Sequence, residues 1–362
     1  MMSRATTRTI KSAVGQIQAR SVSNSAASST PRHLLSISQL SPAEFSKLVL
    51  NASAYKQATK AAFAAGPGQV PRTLDGKLKG RTVAMMFSKR TTRTRVSTEA
   101  AVASWRGHPM FLGKDDIQLG VNESLYDTSK VISSMTSCMV ARVGPHSDVA
   151  DLARDSSVPV INALSDDFHP LQAIADFQTI HEAFAPSPPT RPASDSRHEG
   201  RLGRRSNNVL FDMATAASCW ASTLPSPRPP ATDSRPHEAD HPQRRRGLAK
   251  PGKLIETTVP EEAVKDADIL VTDTWVSMGQ EAETQRRLKD CLPASKITNE
   301  LAKRGGAKPG WKFMHCLPRH PEEVDDEVFY GPQSLVFPEA ENRLWAAVSA
   351  LEAFVVNNGR IL

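Results

Sequence analysis

The sequence predicts an α/β protein with two domains, each a mostly parallel sheet flanked by helices. Short apolar runs of strand length alternate with segments of helical periodicity, as in chains whose parallel strands are joined by helices. The 362 residues, 39% of them hydrophobic, are enough for two cores. No apolar run approaches the ~20 residues that a membrane span needs, so we expect no membrane segment.

The predicted elements follow in chain order. A first helix begins at Ser41-Pro42, where serine can cap the helix and proline fits its first turn. Runs of buried-strand character predict strands at 81–87, 139–143, 158–161, 269–271 and 311–314. Helical patterns follow two of these strands, at 96–105 and 171–184. This order places polar loops between strand ends and helix starts.

The formal charge of +7 is concentrated at the N-terminus. Five basic residues and no acidic residue precede Glu44, within a stretch rich in serine, threonine and alanine. That composition is typical of a transit peptide for mitochondria or plastids, which we assign to residues 1–32; a disordered basic tail is the alternative. The remaining arginine clusters lack the interleaved aromatic residues of a nucleic-acid surface, so no nucleic-acid partner is expected.

Residues 186–250 have an unusual composition. They hold ten of the 26 prolines and ten arginines, which favours a linker or a disordered segment. Proline also cannot donate to an inner strand ladder, and the stretch 201–205 is too rich in arginine for a central strand. The island 207–217 has a helical pattern. A stretch with a helical pattern lies between two proline- and arginine-rich stretches that lack any such pattern. A further interpretation is therefore that the reading frame is wrong on both sides of it.

The run from Lys89 to Arg95 lies between a predicted strand and a predicted helix. Free N–H groups, the helix dipole, hydroxyls and forked guanidinium groups together suit a phosphate at such a junction. A structural cap or an ordinary surface loop is about equally compatible with this motif alone.

Three further motifs contain candidate functional groups. His169 precedes Pro170, a common way to enter a helix, and Asp273 follows an apolar strand, where it could cap the next helix. Cys316 could be a nucleophile, although a buried inert cysteine is commoner. The four cysteines form no CxxC pair, which indicates neither a disulfide framework nor a zinc site and favours a reducing compartment.

Four motifs together resemble the aspartate and ornithine carbamoyltransferase family, and they occur in the order of that family. They are Thr91-Thr-Arg-Thr94, Phe168-His-Pro-Leu-Gln172, Ser277-Met-Gly279 and His315-Cys-Leu-Pro-Arg319. Thr91 stands where that family usually has serine, and the pattern fails around 201–206. The third motif is similar to the ornithine branch. The resemblance covers about 34–184 and 254–362.

The resemblance implies transfer of a carbamoyl group from carbamoyl phosphate to the δ-amine of L-ornithine, giving L-citrulline. Arg142, His169 and Cys316 are the implied catalytic residues. The implied carbamoyl phosphate ligands are Thr91, Thr92, Arg93, Thr94, Gln118, Arg142, His169, Gln172, Cys316, Leu317, Pro318, Arg319 and Arg343. The implied ornithine ligands are Asn208, Asp273, Ser277 and Met278.

The resemblance also implies domain limits and an assembly. It places the carbamoyl phosphate domain at 33–170, the ornithine domain at 171–343, and a C-terminal helix at 344–362 that packs back on the first domain. A homotrimer in the mitochondrial matrix is implied, with neither a metal nor an organic cofactor. Two alternatives stay open: a carbamoyltransferase for another amine, and a catalytically impaired protein that still binds carbamoyl phosphate.

Overall fold

The computed structural model describes residues 30–66, 76–117, 123–184, 201–203, 208–223, 255–257, 259–274 and 296–362. Its first sheet has four parallel strands in the order β2-β1-β3-β4. These are β1 (Thr82–Phe87), β2 (His108–Gly113), β3 (Cys138–Arg142) and β4 (Val160–Leu164). Five of the six residues of β1 are buried, as expected of an inner strand covered on both faces.

Strand β2 is a feature that the sequence did not predict. It carries Pro109, which has no backbone N–H, and its residues are only partly buried or exposed. The strand pairs with β1 alone among the described residues. An edge strand tolerates proline because one side of its backbone needs no ladder partner.

Helices cover the first sheet. They are α1 (Pro42–Ala65), α2 (Arg93–Ser104), α3 (Leu125–Met135), α4 (His146–Asp155) and α5 (Pro170–Phe184). The predicted start of α1 is confirmed, because the Ser41 hydroxyl accepts from the Glu44 N–H and the Glu44 carboxylate accepts from the Ser41 N–H. This reciprocal pair is a capping box, which satisfies two N–H groups at the helix start.

The second half contributes shorter elements. They are β5 (Arg201–Gly203), α6 (Asn208–Thr223), β6 (Ile255–Thr257), α7 (Pro260–Val264), β7 (Ile269–Thr272), α8 (Asn299–Gly305), β8 (Lys312–His315), α9 (Asp326–Phe329) and α10 (Val336–Leu351). Strands β5 and β6 pair in parallel, as do β7 and β8. The arginine-rich stretch therefore does form a short strand, with one neighbour among the described residues. The predicted helical island is confirmed by α6.

The largest cluster of buried apolar side chains lies where α1, α2, α5, α6 and α10 meet the first sheet. Helix α10 packs against α1, α2 and α5, so its polar face reaches the ends of the strands that carry the motifs. In the described part of the chain, no helix combines the length and the apolar character needed to cross a membrane.

Substitution of Phe45 provides a test of this packing. Its ring is fully buried and meets Phe177 and Trp220 edge-on, with ring centroids 5.4 and 6.4 Å away. We expect Phe45→Ala to lower the free energy of unfolding by about 3–5 kcal/mol, since it leaves a cavity. Phe63→Ala is the matched control because Phe63 lies on the same helix and is 61% exposed. Urea titration of both variants measures the difference, and equal losses would contradict the packing described.

Candidate active site

Four nitrogen-rich side chains from four elements meet beside the carboxyl ends of the first sheet. Arg93 opens α2, Arg142 ends β3, His169 precedes α5 and Arg343 lies on α10. The register of β3 against β4 slips between Ala141 and Arg142, and such an irregularity re-aims a side chain at a strand end. We call Arg93, Arg142, His169 and Arg343 the cationic cluster.

The electrostatics of the cationic cluster favour an anion. Burial, followed by repulsion from Arg93, lowers the pKa of Arg142 to about 10. Burial lowers the pKa of Arg343 to about 10, and Arg142 and Arg93 contribute to the decrease. Burial and then the three arginines hold the pKa of His169 well below its ordinary value. The imidazole is therefore neutral and lies beside three guanidinium groups.

Several side-chain nitrogen atoms of the cluster have no hydrogen-bond partner within the described ranges. These atoms are Arg142 Nε, His169 Nδ1 and Arg343 Nε, all buried. Buried donors without acceptors are unfavourable, and a bound oxyanion would supply the acceptors. The arrangement can therefore hold a phosphate and polarise a neighbouring carbonyl group.

The predicted phosphate loop lies at this cluster. Thr92 is the residue before α2 and its side chain makes no capping hydrogen bond, while Thr91 is half-buried and Thr94 is buried. Arg343 Nη2 donates to Thr94 Oγ1 at 3.1 Å, and Arg343 Nη1 donates to the side-chain amide oxygen (Oε1) of Gln172. Arg343 on α10 therefore joins the phosphate loop to the segment from His169 to Gln172.

The loop after β8 closes the other side of the cluster. Arg93 Nη2 donates to the carbonyl oxygen of Leu317 at 2.5 Å. Leu317 has a φ of 64°, a left-handed conformation that a branched side chain rarely adopts. Its N–H donates to His315 Nδ1 at 2.9 Å, which ties the strained backbone to the end of the strand. Pro318 follows in the same loop and is exposed.

Cys316 and Asp273 meet at the ends of β8 and β7. The thiol donates to Asp273 Oδ1 at 2.6 Å, and the same oxygen accepts from the Thr274 N–H at 2.7 Å. Desolvation and the Asp273 carboxylate raise the pKa of the Cys316 thiol well above its ordinary value. A thiol that keeps its proton is a poor nucleophile, which agrees with a binding role for Cys316.

Not every predicted site residue joins this cluster. Arg319 donates to the carbonyl oxygen of Val324 and to Asp326, and its guanidinium lies 4.8 Å from the centroid of the Phe329 ring. Its assignment to carbamoyl phosphate remains a prediction. Gln118, Ser277 and Met278 lie outside the described residues. Asn208 begins α6, but its side chain is not among those described.

The sequence did not single out four buried acidic residues around the site: Asp176, Asp212, Glu323 and Glu339. Glu323 accepts from His315 Nε2 at 3.0 Å and from the His320 N–H at 2.8 Å. Since His315 Nδ1 accepts from Leu317, Nε2 carries the proton. For Asp176, Asp212 and Glu339 the sequence signal was an acidic residue within an otherwise apolar helical pattern, whereas Glu323 lies in a turn. No cluster of His, Cys, Asp and Glu suited to a metal ion occurs in the described residues.

Asp212 links α6 to the start of α5. Its oxygens accept from the His169 N–H at 2.6 Å and the Ile37 N–H at 3.1 Å. Burial raises the pKa of Asp212 to about 7 from an ordinary value of 3.8. The folded state thus binds this proton more tightly than the unfolded state. The favourable contribution to stability is present below the unfolded pKa and is lost as the pH rises through about 7.

Asp212→Asn removes this titration. We expect the free energy of unfolding of the variant, minus that of the parent, to increase as the pH rises from about 4 to about 7 and then to level off. Denaturant titrations across this window measure the difference. Asp115→Asn, at an exposed loop position, should show no comparable trend. A difference for Asp212→Asn that does not vary with pH would contradict the raised pKa.

The geometry defines a class of protein that binds an oxyanion at a strand-to-helix junction and closes it with a loop and a C-terminal helix. Two family models match the chain. The carbamoyl-P binding domain of aspartate/ornithine carbamoyltransferase matches residues 32–182, and the Asp/Orn binding domain matches residues 200–354. The chain belongs to the aspartate/ornithine carbamoyltransferase family.

Curated and solved relatives agree with this membership. The mitochondrial ornithine carbamoyltransferase of Emericella nidulans is 63% identical over 341 residues, covering 91% of each chain. That of Coccidioides immitis is 62% identical and covers 92% of this chain and 96% of the relative. A crystal structure of a mitochondrial ornithine carbamoyltransferase from Coccidioides immitis has a TM-score of 0.76 at 59% identity, covering 92% of this chain and all of that chain.

Proposed function

We propose that this chain transfers the carbamoyl group of carbamoyl phosphate to the δ-amine of L-ornithine, giving L-citrulline and phosphate, in mitochondria. It is an enzyme of the ornithine carbamoyltransferase type. The relatives at 60% identity or more that support this activity carry that name and location. The proposed mechanism rests on the cationic cluster, in which three arginines and a neutral histidine lie beside the carboxyl ends of the first sheet.

The phosphate group of carbamoyl phosphate is assigned to the loop at the start of α2. We assign Thr91, Thr92, Arg93 and Thr94 to its oxygens, together with the free N–H groups at the start of α2. Gln118 would act with them. The carbamoyl group then falls between Arg142, His169, Gln172 and the 316–319 loop, and Arg343 bridges the phosphate loop to Gln172.

The chemistry requires charge stabilisation on the carbamoyl oxygen. The neutral δ-amine donates its electron pair to the carbamoyl carbon, a C–N bond forms, and negative charge builds on the oxygen. Arg142 and His169 are placed to donate to that oxygen, and preorganised donors of this kind lower the barrier. The C–O bond to phosphate then breaks, and the departing phosphate takes the proton released by the amine.

The ornithine side of the site lies at the end of β7. Asp273 is 9% exposed and accepts a hydrogen bond from the Cys316 thiol. Its carboxylate can therefore bind the α-amine of ornithine next to the reacting carbon. We assign Asn208, Ser277 and Met278 to the same ligand. We also propose a homotrimer, residues 1–32 as a transit peptide, and domain limits at 33–170, 171–343 and 344–362.

The test is citrulline formation by the full 362-residue chain supplied with carbamoyl phosphate and L-ornithine. Parallel reactions contain L-aspartate or putrescine in place of ornithine. We expect carbamoylation of ornithine alone. Equal or faster carbamoylation of another amine would identify a sibling transferase. Absence of any product, with carbamoyl phosphate still bound, would identify a catalytically impaired binding protein.

A further inference from the structure

Two carboxyl groups lie buried side by side behind the cationic cluster. Asp176 on α5 is fully buried and Glu339 on α10 is 2% exposed. The side-chain nitrogen of Gln172 donates to both, at 2.7 Å to Asp176 Oδ1 and 3.1 Å to Glu339 Oε1. Neither carboxyl has been assigned a role in the reaction described above.

The hydrogen-bond pattern indicates where a proton must lie. Both oxygens of Glu339 accept, one from Gln172 and the other from the His315 N–H at 2.9 Å. Asp176 Oδ1 also accepts, whereas Asp176 Oδ2 is buried and meets no donor within the described residues. Because both carboxyls accept from the same amide nitrogen, two ionised groups would place two negative charges side by side in a buried site. A proton on Asp176 Oδ2 removes one of these charges and supplies a donor at the oxygen that has no partner.

The surroundings favour the protonated pair. Burial raises the pKa of both Asp176 and Glu339, and the negative charge of Asp176 raises the pKa of Glu339 further. Arg343 is the cation that faces Asp176, and Asp273 adds further negative charge to both carboxyls. A single proton removes the repulsion between like charges at close range and leaves one negative charge to balance Arg343.

We propose that Asp176 and Glu339 share one proton, carried on Asp176 Oδ2, and that this carboxyl pair positions the side-chain amide of Gln172 for the carbamoyl group. The pair holds both amide hydrogens of Gln172, so the carbonyl oxygen must face Arg343 and the ligand. That oxygen has a second lone pair, which can accept from the carbamoyl NH2. The inference rests on the proposed function, because it assigns the role of Gln172 to that substrate.

Three variants separate positioning from bulk packing. Asp176→Asn keeps an oxygen toward Gln172 and places an N–H where the proton is proposed, so kcat and the KM for carbamoyl phosphate should stay within about threefold of the parent. Glu339→Gln must lose one of its two accepted hydrogen bonds. Asp176→Ala loses both functions of its carboxyl. We expect each of the last two to raise the KM for carbamoyl phosphate by about 10-fold or more.

Infrared difference spectroscopy tests the proton without reference to activity. The parent spectrum minus that of Asp176→Asn, both from the full chain at neutral pH, should contain the carbonyl band of a protonated carboxyl group that shifts in D2O. Asp212 is unchanged in both samples and cancels. Absence of this band overturns the inference, as would an Asp176→Asn variant as impaired as Asp176→Ala, or an unimpaired Glu339→Gln. A band without citrulline formation would instead reject only the proposed function.

Discussion

Arg93→Ala is expected to lower kcat/KM for carbamoyl phosphate by about 10³-fold, the upper range for the loss of one charged donor from a preorganised oxyanion site. The substitution removes a guanidinium at the first turn of α2 and also its bond to the Leu317 carbonyl oxygen. Both the phosphate contact and the closure of the 316–319 loop are therefore affected. Steady-state citrulline formation with varied carbamoyl phosphate measures the effect.

Arg90 supplies the matched control for this experiment. It lies three positions earlier in the same basic loop and is exposed, so Arg90→Ala removes the same charge without removing a site contact. We expect its kcat/KM to remain close to that of the parent. Arg93→Lys adds a second comparison, because lysine keeps the charge but not the forked geometry. Equal losses for Arg90→Ala and Arg93→Ala would show a nonspecific effect of charge.

The local parts of the fold and site were predictable because their signals are short in sequence. The Ser41 cap, the strands of buried character and the strand-to-helix turn at 89–95 each occupy fewer than about ten residues, and local chemistry determines them. The same holds for the presence of His169 and Arg142 at element ends. These predictions required no knowledge of which elements pack together.

The acidic residues behind the site depend on tertiary contacts. Glu339 contacts Gln172 and His315 only because α10 packs against α5 and lies beside β8. Asp212 reaches His169 and Ile37 because α6 packs against α5 and the Ile37–Gln39 turn. Sequence spacing contains no record of such long-range contacts. Strand β2 was missed for a different reason: Pro109 and polar neighbours obscure the strand pattern at a sheet edge.

Arg142→Met is expected to separate stability from activity. Arg142 is 7% exposed, and its Nε has no partner in the described residues. It also forms no ion pair there, and burial with repulsion from Arg93 lowers its pKa to about 10. A buried cation without a counter-charge destabilises the folded state, so a methionine of similar length should raise the free energy of unfolding by about 1–3 kcal/mol.

The same substitution should lower kcat for citrulline formation by about 10²–10³-fold, because a donor to the developing oxyanion is lost. Thermal or urea unfolding measures the first effect and steady-state kinetics the second. Arg154→Met is the control: Arg154 is exposed on α4 and pairs with Asp151 and Asp155 at the surface, where such pairs contribute little. A variant at position 142 that loses stability together with activity would show that Arg142 supports the fold. Gained stability with lost activity would show that the unbalanced charge serves the substrate.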